Sequence, residues 1–435
     1  MAKKSTKLET LHGIFKENKI SFDNIELSTK LIKEIKKNAD AVPDYRHPSY
    51  TKHLLGDIIM IIFFAVLANA NEWYEIETFA KKKEKWLRRY LELPYGIPTD
   101  DTIRIVTSNI DTGHFFNVSA ILLLNTVDGI LAAAGKNENN MGKTITAIDG
   151  KESCGSKRKH ISGNNEDGAE ALHTLNVYSC EYRMCIAKKF IDEKTKEIPA
   201  AQEILKTMDL HGTIITADAM NCQKDTVATI VKSKGDYVLA LKGNQKFFYE
   251  EVKDYFDNKT LENLEKKENC YYQTIEKEHG GIVVRKYYIT EDTSWFCEKN
   301  KWKKLNSFGM VHKIFIDSNG KKREENRYYI CSISENAKEF AKAARGHWRV
   351  ENNLHWQLDF TYKDDKNTSM AKTGAKNLQI MKKIVLSILQ LVKGFYNISM
   401  KRIRYELSLD FENGVEKLFS MLDIDNIKNA LYPGV

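Results

Sequence analysis

The chain has 435 residues, of which 42% are hydrophobic and 29% charged, with a formal net charge of +8. That is enough apolar material for two or three domains with buried cores, and it excludes an intrinsically disordered chain. The positive surplus suits a polyanionic partner, but it is too modest to separate a nucleic-acid protein from an ordinary basic enzyme.

The first 50 residues are polar and lysine-rich with weak helical patterning. The apolar run Ile58 to Ala68 is far shorter than the ~20 residues that span a bilayer, so it predicts a buried helix and no membrane partner. Trp73, Ile76, Ala80 and Leu87 fall at helical spacing, and Pro94 and Gly96 close that helix. Thr99 is placed to cap the next helix, which carries Ile103 and Val106, and a third apolar helix is expected over Val118 to Leu131. After Lys143 the pattern changes. "TITAID" (144 to 149) alternates and is rich in β-branched residues, which predicts a strand, and two more are expected at 172 to 180 and 184 to 191. A helix at 200 to 208, a strand "TIITAD" (213 to 218), a helix at 224 to 233, a strand at 237 to 241 and a helix at 247 to 255 follow. This is a mixed α/β layout, an antiparallel opening followed by crossover units. From about 265 to 335 two hairpins are expected, turning at Gly280-Gly281 and Asn319-Gly320, which makes a β-rich insertion. Helical pattern returns with the apolar face of Leu378, Met381, Ile384, Val385, Ile388 and Val392, and a short helix near Val415 to Met421 ends the chain.

The seven cysteines have no C-x-x-C spacing, so a zinc ribbon or thioredoxin-type motif is not expected. Their odd, scattered distribution and the absence of an apolar stretch behind "MAKKSTKLET" point to reduced thiols, no secretory signal and a cytoplasmic protein.

Asp149 and Asp218 each end a predicted strand, where two acids can point into one crevice, although strand-ending aspartates also cap turns. The segment "ARGHWRVENNLHWQLDF" packs two arginines, two histidines, two tryptophans and Glu351 into a short helix. His347, Glu351 and His355 lie at i, i+4 and i+8, roughly on one face. A zinc site is one reading of that face, but the HExxH order is absent, and packing or phosphate contact is the reading we prefer for the histidines.

At this point the chain resembles a known family. "AIDGK" (147 to 151), "TADAMNCQ" (216 to 223), "LKGNQ" (241 to 245), "HGG" with Arg285, "RGHWRVENNLHWQLD" (345 to 359) and, upstream, "GIPTDDTIRIV" (96 to 106) are similar to the H-repeat-associated family of DDE-class insertion-sequence transposases. The matching segments span roughly residues 45 to 395, and the long string around Glu351 is the most specific. The resemblance implies an α/β fold: a ribonuclease-H-like mixed-sheet core with a β-rich insertion and an N-terminal helical domain. On that basis the expected organisation is a helical, DNA-end-binding region at 1–140, the first part of the core at 141–260, the insertion at 261–340, the helix carrying the third acid and the next helix at 341–400, and a helical tail at 401–435.

The resemblance further implies that Asp149, Asp218 and Glu351 are the three catalytic acids and hold two Mg²⁺ ions, with Mn²⁺ as a substitute, to cut the element's ends and transfer the freed 3′-hydroxyl into target DNA. Magnesium prefers oxygen ligands, and a pair of such ions can serve both the attacking and the leaving oxygen. Lys82, Lys85, Arg88, Arg89, Lys151, Lys242, Arg285, Arg345, His347 and Arg349 are the candidate DNA contacts. The expected partners are element-end and target DNA and further copies of the chain on that DNA, in a bacterial cytoplasm and at the nucleoid. The chain departs from the family at Cys154, where an arginine is common, and at Gly281 and Val283, where Arg and Glu are common. Two other readings stay open: a decayed copy that only binds DNA, and a ribonuclease-H-like nuclease that cuts without joining.

Overall fold

A computed structural model describes residues 30–113, 115–116, 143–153, 172–181, 183–191, 196–278, 280–364, 372–393 and 399–422. The helix expected over Val118 to Leu131 and Cys154 lie outside the described residues.

Four helices open the chain: α1 (Lys30–Asp40), α2 (Leu55–Leu67), α3 (Trp73–Leu87) and α4 (Asp100–Ser108). Every residue of α2 is buried, as its unbroken apolar run requires. Thr99 caps α4 by accepting from the Thr102 N–H. No helix among the described residues is long and apolar enough to cross a membrane.

The centre is one nine-stranded sheet: β1 (Thr144–Ser153), β2 (Leu172–Ser179), β3 (Met184–Ile191), β4 (Thr213–Ala217), β5 (Asp236–Leu241), β6 (Tyr271–Glu278), β7 (Gly281–Thr290), β8 (Ser307–Ile316) and β9 (Lys322–Cys331), in the spatial order β3-β2-β1-β4-β5-β9-β8-β7-β6. β1, β4 and β5 run parallel, and β2 and β3 are antiparallel to their neighbours. This is the expected ribonuclease-H-like order of the first five strands. The parallel pairs need crossovers, and α5 (Glu197–Thr207) and α6 (Lys224–Lys232) provide them. The insertion is not a separate sheet. Its last strand, β9, pairs with β5 from Val238↔Cys331 to Leu241↔Tyr328, so β6 to β9 extend the core sheet sideways. Before the first hairpin come α7 (Lys246–Tyr255) and α8 (Asn258–Lys266). The sequence reading did not anticipate α8.

After the sheet, α9 (Ala337–Val350) runs into a π-helical turn at Glu351–His355 and then α10 (Trp356–Phe360); α11 (Lys372–Val392), α12 (Met400–Leu409) and α13 (Phe411–Leu422) complete the described chain. The two faces of the sheet bury two cores. One core holds Ile145, Ala147 and Ile214 with α2, α3, α9, α11 and the C-terminal helices, and the other holds Ile148, Ile215 and Ala217 with α5 to α8. The C-terminal helices, expected as a tail, pack against the N-terminal helices. Phe411 packs edge-on against Phe64, Phe79 and Trp86 at 4.8–6.0 Å between ring centres. Arg404, from the basic run "KRIR", is fully buried and donates to the Val66 and Thr361 carbonyls and to Asn71.

Candidate active site

β1 and β4 are parallel neighbours in the register Ile148↔Ala217, so the next residue of each, Asp149 and Asp218, stands beside the other. Strand alternation puts both on the face that Ile145, Ala147 and Ile214 share, the face covered by α9. Gly150 follows Asp149 because a Cβ there would meet the Glu197 carboxylate at 2.5 Å. A fourth carboxylate therefore packs against the end of β1. Asp218 begins a 3₁₀ turn at Ala219–Asn221 and its Oδ1 accepts from the Asn221 N–H and side-chain amide at 3.4 and 3.3 Å. The loop "LKGNQ" holds that turn from outside, with the Asn244 amide donating to the Ala219 carbonyl and the Gln245 amide to the Cys222 carbonyl.

The third acid arrives on α9, which lies close to the sheet on a face of small residues: Ala337, Ala341, Ala344 and Gly346. A Cβ on Gly346 would come within 2.5 Å of the Ile145 side chain, so only glycine allows this approach. The π turn then changes the winding over Glu351–His355. Glu351 stays exposed while His355, four residues on, is buried. The His355 Nδ1 lies 3.1 Å from Glu351 Oε2 and 3.5 Å from Asp149 Oδ2. The structure thus brings Asp149, Asp218 and Glu351 to one crevice and inserts His355 between the first and third.

The electrostatics follow from that crowding. Burial, then the charges of Asp218, Glu351 and Glu197, raise the Asp149 carboxyl to about 8. The His355 hydrogen bond lowers Glu351 below its usual value. Burial pulls His355 down, and it takes His347 down to about 4, so both imidazoles are neutral at physiological pH. Asp149, Glu351 and His355 each offer one ligand atom, all within 4.8 Å of one another; Asp218 is not in that group. A cluster of anions that keeps one member protonated suits a divalent cation with oxygen preference.

The remaining candidates are dispersed. Lys151 is buried and ion-paired with Asp359 on α10, tying the end of β1 to the segment after Glu351. Arg285 is also buried, and its guanidinium is held at 2.7 Å by both Glu276 and Glu278 of β6; Arg345 reaches the same two carboxylates at 3.2 and 3.1 Å. Lys151 and Arg285 are engaged inside the protein, whereas Arg345 pairs with the same carboxylates while its side chain stays 36% exposed. Val283, where the family commonly has Glu, is buried, and in this chain β6 supplies the carboxylates that meet Arg285. On α3, Lys82 and Lys85 are exposed, whereas Arg88 pairs with Glu84 and Arg89 with Glu416. Lys242 is exposed beside the Asp218 loop. His347 and Arg349 are half-buried on α9, with His347 within electrostatic reach of Asp218 and Arg349 within that of Arg183 and Tyr178. Exposed aromatic rings flank the third acid on both sides. Arg327 stacks on Trp348 at 4.3 Å, and Trp356 stacks on Phe360 at 4.7 Å.

Sequence reasoning left Glu197 and Asn176 unmarked and weighed His355 as a zinc ligand before preferring packing or phosphate contact. The motifs contained signals for part of this: Asp359 and Lys151 belong to two of the quoted strings, and Asn244 to a third.

A family model described as "Transposase DDE domain" matches residues 140–386, and one described as "DDE_Tnp_1-associated" matches residues 38–120. The chain is similar to "Putative transposase YncI" of Escherichia coli O157:H7, 33% identical over 374 residues, which cover 85% of this chain and 90% of that protein. It is also similar to "H repeat-associated putative transposase YhhI" of Escherichia coli strain K12, 30% identical over 362 residues, covering 82% and 90%.

Proposed function

The chain belongs to the transposase DDE family, and we propose that it cuts the ends of a mobile DNA element and joins the freed 3′ ends to target DNA, with Asp149, Asp218 and Glu351 holding two Mg²⁺ ions. What carries the reading is the convergence of these acids from two adjacent parallel strands and one helix, with Asp149 raised to about 8 by burial and its acidic neighbours. Divalent ions bound there would activate the attacking hydroxyl and stabilise the leaving oxygen.

The chain's own groups do the rest. Asp149 would give up its proton as the site fills, because a cation offsets the burial and the repulsion that kept it neutral. Asn221, Asn244 and Gln245 hold the Asp218 loop. Lys151 and Asp359 fix the strand end against α10. Lys82, Lys85 and Lys242 are exposed cations able to meet phosphates, and the rings of Trp348 and Trp356 border the crevice.

The experiment is nicking and joining of an oligonucleotide carrying the element's end, in Mg²⁺ and in EDTA. Activity is expected only with metal and is expected to vanish in Asp149→Ala, Asp218→Ala and Glu351→Ala. Full activity in any one of the three would remove that residue from the site. Cleavage without joining would replace the transposase reading with the nuclease one.

A further inference from the structure

We infer that His355 is not a metal ligand but a neutral Nδ1–H donor shared by Asp149 and Glu351, a positioning residue whose tautomer is fixed by Asn176. The inference rests on reading Asp149 and Glu351 as metal-holding acids.

The distances alone leave the histidine ambiguous. Its Nδ1 faces both carboxylates, which suits either a proton on that nitrogen or a lone pair directed at a shared cation. The other ring nitrogen decides between them. Nε2 lies 3.2 Å from the side-chain nitrogen of Asn176 on β2, in a buried position. An imidazole bound to metal through Nδ1 carries its proton on Nε2 and needs an acceptor there.

Asn176 cannot supply that acceptor, because its orientation is determined from two other sides. Its Oδ1 lies 2.6 Å from Lys383 Nζ, which only donates. Its Nδ2 lies 3.3 Å from the Thr174 carbonyl, which only accepts. Turning the amide over would face nitrogen with ammonium and oxygen with carbonyl, leaving buried groups unpaired at about 1–3 kcal/mol each. Both Asn176 Nδ2 hydrogens are therefore committed, one to Thr174 and one to His355 Nε2. With Nε2 accepting, the proton of the neutral ring sits on Nδ1, between Asp149 and Glu351.

The arrangement has a chemical use. A neutral donor draws Oδ2 of Asp149 and Oε2 of Glu351 toward one point without adding a positive charge that would compete with an incoming cation. The other oxygen of Glu351 stays available, and Oδ1 of Asp149 also accepts the Gly150 N–H. Lys383 lies one residue further out, and burial brings it down to about 8, where it still holds its proton at neutral pH.

The test uses the full chain with ¹³C,¹⁵N-labelled histidine, the His355 signals being identified by their loss in His355→Asn. The Nδ1–H tautomer is expected without metal and again in saturating Mg²⁺. Pulsed EPR of the Mn²⁺-loaded protein is expected to show no coupling to a directly bound imidazole nitrogen. In Asn176→Asp the group facing Nε2 becomes an acceptor, so the ring is expected to move its proton to Nε2 and the nitrogen coupling to appear, with an about 10–100-fold change in Mn²⁺ affinity or cleavage. An Nε2–H ring in the wild type, or nitrogen coupling in its Mn²⁺ spectrum, overturns the inference, and the Mn²⁺ spectrum needs no variant. The metal-free tautomer needs no catalysis, so a protein that fails to cut DNA but shows Nδ1–H refutes the proposed function and not the histidine's role.

Discussion

Replacing Asp149 by asparagine should stabilise the metal-free protein. Burial and the charges of Asp218, Glu351 and Glu197 raise this carboxyl from 3.8 to about 8. Its folded value is above its unfolded value, so the ionised form is the one that opposes folding. Below about pH 4 the group is neutral in both states and contributes no penalty. Between pH 4 and 8 the unfolded chain loses the proton while the folded chain keeps it, and stability falls by about 1.4 kcal/mol per pH unit. At pH 7 this slope gives roughly 4 kcal/mol, and relaxation and solvent reaching the partly exposed side chain reduce it to about 2 kcal/mol. Asparagine carries no charge at any pH and keeps an oxygen for the Gly150 N–H. For a chain of this size, Asp149→Asn is expected to raise Tm by ~2–4 °C at pH 7 in EDTA. The assay is thermal unfolding of both proteins in EDTA from pH 4.5 to 8.5, repeated in Mg²⁺. The gain should grow with pH, level off above 8, and shrink when Mg²⁺ stabilises the wild type by binding its folded state. An asparagine variant that gains nothing at pH 7.5, or gains most at pH 4.5, would show that the carboxylates do not repel as described.

Gly346→Ala forces Ile145 and α9 apart, at about 1–3 kcal/mol of overpacking set against about 1 kcal/mol of helix propensity, so urea unfolding should show a net loss of up to ~2 kcal/mol that is smaller in an Ile145→Ala background. Phe411→Ala empties the centre of the ring cluster joining α13 to α2 and α3, and should cost about 3–5 kcal/mol and expose the N-terminal helices to limited proteolysis. Arg285→Met leaves Glu276 and Glu278 without their buried partner and should cost ~1–3 kcal/mol at pH 7. Although burial works against it, Arg285 and its neighbours hold Glu278 down to about 2, so the stability it contributes is present above its unfolded value near 4.5 and is lost as pH falls toward 2; the variant's deficit should shrink over that range.

Local pattern carried the sheet and its acids a long way. β-Branched alternation marked "TITAID" and "TIITAD" as strands, and strands of equal phase in a parallel pair place their final residues side by side. The string around Glu351 marked the candidate third acid through its resemblance to the family's motif, while its composition alone left zinc binding, packing and phosphate contact open. What local pattern does not encode is partnership across distance. Nothing near residues 236–241 indicates pairing with 322–331, so the insertion reads as a separate β unit when it is a continuation of one sheet. Arg404 looks like a surface charge because its acceptors, the Val66 and Thr361 carbonyls and Asn71, come from remote parts of the chain. Helix α8 was missed although Asp257 caps it, because its short half-exposed pattern, with only Leu264 fully buried, is faint. The tautomer of His355 depends on three segments meeting and has no trace in its neighbours.

The π turn at Glu351–His355 bears on how this gene can change. It accommodates one residue more than an α-helix would over the same rise, and two of its five residues are asparagines, one of them exposed. By side-chain burial Asn352 looks dispensable. Loss of its single codon would let the helix wind regularly while the residues after the turn kept their faces, because the turn already absorbs the extra residue. What would change is the turn itself, where the histidine would fall three residues after Glu351 instead of four. Point substitutions at Asn352 should therefore disturb the crevice less than an in-frame deletion, which would break the i,i+4 pairing of Glu351 with His355 while leaving both residues encoded.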